Sequence, residues 1–258
     1  SIGLATNGYM LTPSYSELIL HCFDYLRVNF SAGQPHRYAE IMGVPESYFY
    51  AVKENIRHMV EFKHSHKLPV TLNIQMVLRP QDADQIMPFA KLGKELGVDY
   101  AIIKHCLDYP DQGIIVDYSA YEALTPIIKQ AEALTTEDYL VTAKWSKLKN
   151  RERSYKHCLA PPFLLQISGT GLVAVCGPYF GSQYKDFHIG NINEKSLKEI
   201  WQSDRYWEVM NYVASDKFDV SKCSPGCVQD ALNRRLNQYR EGELKLDDSN
   251  PPLHRNFI

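Results

Sequence analysis

Four cysteines in the C-terminal part of the chain, Cys158, Cys176, Cys223 and Cys227, are the residues whose type and spacing promise chemistry. They stand 18, 47 and 4 residues apart, and the only other cysteines are Cys22 and Cys106. Cys223 and Cys227 flank Ser224-Pro225-Gly226, a tight-turn sequence that aims both sulfurs at one point. Cys158 precedes, and Cys176 closes, two short apolar runs, Phe163–Ile167 and Leu172–Cys176, around Gly169-Thr170-Gly171, which reads as a β-hairpin. Four thiolates converging from a hairpin and a turn hold either a tetrahedral zinc ion or an iron–sulfur cluster. Other readings compete. A Gly-rich hairpin and a Pro-Gly turn are poor places for four unliganded core cysteines. Zinc ligands usually come as two close pairs, and here one pair is close. A low cysteine count with no signal-peptide pattern argues for a reducing, cytoplasmic setting and against disulfides. On these residues alone, zinc and a cluster both remain open.

The elements that must position the sulfurs and whatever they serve can be read from periodicity. Residues 2–145 alternate strand and helix. A short apolar strand, Ile2-Gly3-Leu4-Ala5, ends at the turn Thr6-Asn7-Gly8. Ser14 and Glu17 make a capping box for a helix whose apolar stripe is Leu18, Ile19, Cys22, Phe23 and Leu26. A strand over about 26–31 and a helix over about 46–62, burying Phe49, Val52, Ile56, Met59 and Val60, come next. Val70, Leu72, Ile74, Met76 and Leu78 recur at period two and predict a strand with two distinct faces. Its opposite face carries Asn73, Gln75, Val77 and Arg79. A helix over 84–96 ends at Gly97, followed by a strand over 98–104, a helix over 119–134 capped by Ser119, and a strand over 139–145. This order predicts a parallel α/β sheet, with its chemistry at the C-terminal strand ends, where Asn7, Asn29, Ser31, Arg79, Lys104 and His105 fall.

The pattern changes near 146. Lys147, Lys149, Arg151, Arg153 and Lys156 form a basic connector, Ser196 and Glu199 a capping box before Ile200-Trp201, and a helix follows Cys227. The predicted division is 1–145, 146–240 and a tail, 241–258, with Asp247, Asp248, Pro251 and Pro252. A net charge of −2 gives no bulk case for nucleic acid, and no apolar run reaches the roughly 20 residues of a membrane span.

Several segments resemble the radical S-adenosylmethionine (SAM) superfamily with a C-terminal SPASM or "twitch" domain. Gly3 to Gly8 resembles the third barrel strand and its TNG turn, and Leu26 to Tyr38 with Met42-Gly43 the fourth strand and its loop. Leu92 to Asp99 resembles the entry to the sixth strand. Cys158, Gly171 and Cys176, then Ile189 to Ile192 and Leu197 to Ser203, resemble the SPASM/twitch region. The fold so implied is a partial (β/α)6 TIM-like barrel lacking its first strands, followed by a small cysteine-ligated domain with a hairpin and short helices. The family's CxxxCxxC loop and its GGE-type segment are not in the sequence. On the resemblance they lie upstream of Ser1, in roughly 60–100 residues at about 30 or more per βα unit, and the chain by itself is inactive toward SAM.

The resemblance implies an oxidoreductase in which a 5′-deoxyadenosyl radical abstracts hydrogen from a polar, sugar- or cyclitol-like substrate. An auxiliary 4Fe-4S cluster on Cys158, Cys176, Cys223 and Cys227 would accept an electron. SAM and a second 4Fe-4S cluster would complete the intact enzyme, served by a flavodoxin- or ferredoxin-type donor. Asn7, Asn29, Ser31 and Lys104 would then bind cofactor, and Asn73, Gln75 and His105 substrate. Arg79 and Lys144 are catalytic candidates, Lys144 as a base for a substrate radical. Cys22 and Cys106 are expected in or near the core. Peptide maturation is one alternative function, and a non-catalytic iron–sulfur or zinc module another.

Overall fold

The computed structural model describes residues 2–107, 116–145, 153–223 and 227–244. Three predicted features lie outside them: the Ser224-Pro225-Gly226 turn, Lys147, Lys149 and Arg151 of the connector, and the tail residues from Asp247 on. The chain divides into two compact units, the first holding 2–106 and 116–145, the second the described residues from 153 onward.

The first unit is built on five strands: β1 (Gly3–Thr6), β2 (Tyr25–Asn29), β3 (Thr71–Leu78), β4 (Tyr100–His105) and β5 (Leu140–Ala143). They pair in chain order and all parallel, with Leu26 beside Leu72, Ile74 beside Ala101 and Ala101 beside Val141. The sheet is the expected partial barrel wall, open rather than closed. Period two in β3 has the expected consequence: Leu72, Ile74, Met76 and Leu78 are buried on one face, while Asn73, Gln75 and Val77 take the other. Because sequential parallel strands all point one way, Thr6, Asn29, Leu78, His105 and Ala143 end at one edge.

Five helices connect the strands: α1 (Pro13–Cys22), α2 (Pro35–Met42), α3 (Ser47–Ser65), α4 (Ile86–Leu96) and α5 (Thr125–Glu132). The apolar stripes of α3 (Phe49, Val52, Ile56, Met59, Val60) and α4 (Ile86, Phe89, Ala90, Leu92, Leu96) join the strand residues in one core. Burying a side chain the size of Phe89 contributes about 1.5–3 kcal/mol. Gly97 ends α4 in the left-handed region at φ 72, donating to Gly93 and Lys94 carbonyls as the sequence predicts.

Several local expectations are corrected. Helix α1 starts at Pro13 with Thr12 as its cap residue, and no Ser14–Glu17 capping box forms; Glu17 instead faces His58 at 3.2 Å. Its buried face is Ser16 and Leu20, so Leu18 is 67% exposed and Cys22 is a surface residue, whereas Cys106 is buried as expected. The 84–96 and 119–134 helices each open with a 3₁₀ segment, Pro80–Gln85 and Tyr118–Leu124. In the second, Pro126 restarts the helix as α5, and the cap is Asp117, which accepts from Ser119 N, rather than Ser119 itself. Helix α2 was not anticipated.

The second unit carries an antiparallel sheet of β6 (Gln166–Ile167), β7 (Leu172–Ala174) and β8 (His188–Asn191), in that order. The hairpin is the predicted one, turning through Gly171 at φ 81. β8 is a third strand the sequence reading missed. Helix α6 (Leu197–Trp201) has the predicted capping box of Ser196 and Glu199, and α7 (Asp204–Val213) is capped by Ser203. α8 (Asp230–Arg240) follows Cys227. Val173, Ile189, Ile200, Tyr206, Val209, Met210 and Val213 form its core. No helix among the described residues is long and apolar enough to cross a membrane.

Candidate metal centre

The four cysteines of the second unit line one cavity of about 430 Å³. Different elements deliver them. Cys158 is pinned to the end of α7 by its N–H donating to Val213 O at 3.1 Å. Cys176 leaves β7 in an extended conformation (φ −166) and caps the 3₁₀ segment Gly177–Phe180, its carbonyl accepting from Tyr179 N at 3.0 Å. Cys223 closes the 3₁₀ turn Val220–Lys222, donating to Val220 O at 3.2 Å, and Cys227 accepts from Asp230 N at 3.3 Å at the start of α8. Tyr179, Tyr184, Phe187, Tyr212 and Phe218 supply aromatic rings to the remaining wall. The Tyr179 hydroxyl lies 4.0 Å from Cys223 Sγ.

Burial dominates the electrostatics. It pushes the Cys158 thiol up to about 12, with Asn233 working against the shift and Cys227 and Cys223 adding to it. The Cys176 thiol is pushed higher still, first by burial and then by Cys227, Cys158 and Cys223. Burial also raises Cys223, against the pull of Arg153. Burial thus favours the neutral thiol at Cys158, Cys176 and Cys223, and a cation that binds their sulfurs displaces those protons. A thiolate–zinc site places sulfur about 2.3 Å from one ion. Among the described residues no three His, Cys, Asp or Glu side chains close on a single ion in that way. The cavity exceeds by more than ten times the roughly 30 Å³ share of one water. Four part-buried cysteines around an aromatic-walled space of that size fit an iron–sulfur cluster, which separates its ligands across several atoms, better than one zinc.

In the first unit the structure places each expected residue. Asn7 finishes the β1 turn, its Oδ1 accepting from Tyr9 N at 3.1 Å, and it edges a cavity of about 270 Å³ with Tyr9, Tyr38 and Tyr48. Asn29 ends β2, half-buried, with Ser31 Oγ at 3.5 Å; Ser31, 3% exposed, also accepts from Val77 N at 3.3 Å. Asn73 is 2% exposed, with Oδ1 accepting from Arg27 Nε at 3.0 Å and Nδ2 donating to Leu26 O at 3.0 Å. Gln75 Oε1 is buried without a hydrogen-bond partner. Arg79 is held by Asp82 through two hydrogen bonds, which raise its pKa. Lys104 and the buried His105 end β4, His105 packing near Tyr118 and Tyr121. Lys144 N extends the ladder after β5, donating to Ile103 O at 3.0 Å. Asn7, Asn29, Ser31, Arg79, Lys104, His105 and Lys144 thus share the C-terminal edge, while Asn73 lies deeper in the sheet.

Sequence reasoning missed the clamp on this edge. Gln85, fully buried, accepts from Gly33 N at 3.2 Å and donates to Gln34 Oε1 at 2.9 Å. The backbone of Pro88 lies so close to Gly33 that a Cβ there would fall 2.1 Å from its carbonyl carbon. It also missed Gln229 and Asn233 beside Cys158. Amides recurring every four residues, at Gln229, Asn233 and Asn237, were the available signal for the latter.

Comparison with known proteins agrees with this geometry. Residues 158–228 match SPASM, described as an iron–sulfur cluster-binding domain, and the match includes all four cysteines. A cofactor-modifying protein for tungsten-containing aldehyde ferredoxin oxidoreductase, from Pyrococcus furiosus, is 23% identical over 221 residues, covering 80% of this chain and 60% of that protein. The chain therefore spans about three-fifths of that relative. Streptococcus suis SuiB bound to its precursor peptide SuiA is similar in structure, with a TM-score of 0.57 and 13% identity, covering 90% of this chain and 58% of SuiB. Native anSMEcpe with bound AdoMet and the Kp18Cys peptide is similar with a TM-score of 0.53 and 17% identity, covering 86% of this chain and 62% of that one.

Proposed function

We propose that this chain, whose residues 158–228 match a SPASM domain and whose fold is similar to those of SuiB and anSMEcpe, is the cluster-bearing part of a radical SAM oxidoreductase. The observation that carries this reading is the convergence of Cys158, Cys176, Cys223 and Cys227 on one cavity. Bound SAM and its reducing cluster would supply a 5′-deoxyadenosyl radical that removes a substrate hydrogen. A flavodoxin- or ferredoxin-type protein is the electron source this requires.

The residues of the two units divide the work. Asn7, Asn29, Ser31 and Lys104 stand at the strand ends to hold the cofactor, with Ser31 orienting Asn29 through the hydroxyl between them. Gln75 and His105 face substrate, and Lys144 is the base that takes its proton. Arg79 and Asn73 shape the site instead of touching substrate, because Asp82 and Arg27 already engage them. The four cysteines hold the auxiliary 4Fe-4S cluster that takes the substrate's second electron.

We place a peptide ahead of a sugar or cyclitol as the substrate class. The polar face of β3 offers only Gln75 to a polar substrate once Asn73 and Arg79 are engaged internally. Two of the similar structures, SuiB and anSMEcpe, are of proteins with bound peptides. The test is anaerobic incubation of the full-length protein with SAM, dithionite and either candidate peptides or cyclitols. Formation of 5′-deoxyadenosine together with a peptide lacking two hydrogens supports the reading. Turnover of a cyclitol alone would reverse the substrate order, and no 5′-deoxyadenosine with any substrate would contradict the reaction class.

A further inference from the structure

Helix α8 buries a stripe of amides beside the cysteines. Gln229, Asn233 and Asn237, one turn apart, are 2%, 1% and 3% exposed. A buried amide is costly unless each polar atom has a partner, so the partners fix its orientation. Asn233 Oδ1 accepts from two backbone donors, Leu159 N at 2.6 Å and Ala160 N at 2.9 Å. Only an oxygen can serve both, so Nδ2 must face the other way, where it donates to Cys158 Sγ at 3.5 Å. Gln229 is fixed in the opposite sense. Its Nε2 donates to Leu164 O and Val175 O, both at 3.3 Å, which leaves Oε1 facing the same sulfur at 3.9 Å. Asn237 plays no such part: its Nδ2 donates to His157 O at 3.0 Å and Asn233 O at 2.8 Å, holding the backbone.

We propose that Asn233 is a positioning residue for the iron–sulfur cluster, donating an N–H···S hydrogen bond to Cys158 that raises the cluster's reduction potential, with Gln229 opposing it. The proposal rests on the cluster reading above. While Cys158 is a thiol its S–H faces the Gln229 carbonyl. As a ligand it has lost that proton, and Asn233 becomes its donor while the Gln229 carbonyl dipole turns its negative end toward the sulfur. Reduction by one electron adds negative charge that is shared with the ligand sulfurs. A donor aimed at sulfur stabilises that state and a carbonyl destabilises it. If Asn233 served structure alone, its oxygen on Leu159 and Ala160 would suffice and its nitrogen would be indifferent.

Asn233→Asp separates the two roles. It keeps an acceptor for Leu159 and Ala160, whose N–H groups favour an ionised carboxylate, and replaces the donor at sulfur. The reconstituted 258-residue chain is titrated potentiometrically at pH 8 with EPR detection, beside iron and sulfide content. With cluster content retained, a more negative midpoint than wild type, and a less negative one for Gln229→Leu, is the expected result. An unchanged midpoint for Asn233→Asp with a full cluster overturns the proposal. If Asn233→Asp fails to hold iron, the wild-type chain labelled with ¹⁵N-asparagine answers instead. A nitrogen coupling in pulsed EPR of the reduced cluster is expected, and its absence overturns the proposal. A wild-type chain that takes up no iron and sulfide contradicts the cluster reading itself, and the proposal with it.

Discussion

Asp82 holds Arg79 at both carboxylate oxygens, Nε to Oδ2 at 2.6 Å and Nη2 to Oδ1 at 3.1 Å, while being only 2% exposed itself. Arg37, from α2, reaches the same Oδ1 at 3.1 Å and also pairs with Glu40 and with Asp84. One buried carboxylate therefore ties the segment that follows β2 to the segment that follows β3. That tie fixes the loop between Asn29 and Arg37, which carries Ser31, one of the residues proposed to hold the cofactor.

Replacing Asp82 removes the shared acceptor and leaves Arg37, whose side chain is 16% exposed, without its inner partner. Asp82→Ala is expected to destabilise the first unit by about 2–4 kcal/mol, the range for breaking a partly buried charged network. Urea unfolding followed by circular dichroism reads this as a lower midpoint at an unchanged slope.

Tyr121 makes a second tie at the same edge. Its hydroxyl donates to Leu78 O at 2.5 Å and accepts from Cys106 N at 3.0 Å, joining the ends of β3 and β4. Tyr121→Phe keeps the ring in the core and leaves the Cys106 N–H on Leu78 O at 2.9 Å, but removes the hydroxyl that both groups share, at a cost of about 0.5–1.5 kcal/mol. Amide exchange at Cys106 is expected to accelerate relative to that of core amides in α4.

The Ser196–Glu199 capping box gives a pH dependence with a definite sign. Hydrogen bonds from the Ser196 hydroxyl and backbone N–H hold the Glu199 carboxyl below its ordinary value. A depressed native pKa means the box stabilises fully above the unfolded value near 4.3 and loses that contribution as pH falls through the native one. The stability gap between wild type and Glu199→Gln should be present at pH 7 and shrink below about pH 4, read by thermal unfolding across that range.

Much of the architecture was legible because it depends on local period and order. The two faces of β3, the stripes of α3 and α4, the Gly97 cap and the Ser196 capping box all follow from neighbours within a few residues. The Ser14–Glu17 pattern had the same local form but failed, because Pro13 set the helix start two residues earlier and Glu17 found His58 on α3. The inward face of α1 was misread for a related reason: Ser16 and Leu20 meet the core, and a serine carries no hydrophobic signal. At the sites, cysteine spacing revealed the sulfurs, but not their environment. The engagement of Asn73 by Arg27, of Arg79 by Asp82 and of Cys158 by Asn233 joins residues as far as 75 positions apart, or turns on a carboxylate whose burial is a tertiary fact. Residue types alone presented Asn73 and Arg79 as open to substrate.

The most direct test of the account is the metal itself. The chain is purified without oxygen, reconstituted with iron and sulfide, and analysed for both per chain, beside Cys223→Ala/Cys227→Ala, which removes two of the four sulfurs lining the cavity. About four irons and four sulfides in the wild type, the stoichiometry of a 4Fe-4S cluster, lost in the double variant, is the predicted result. One zinc per chain and no sulfide would contradict the central claim.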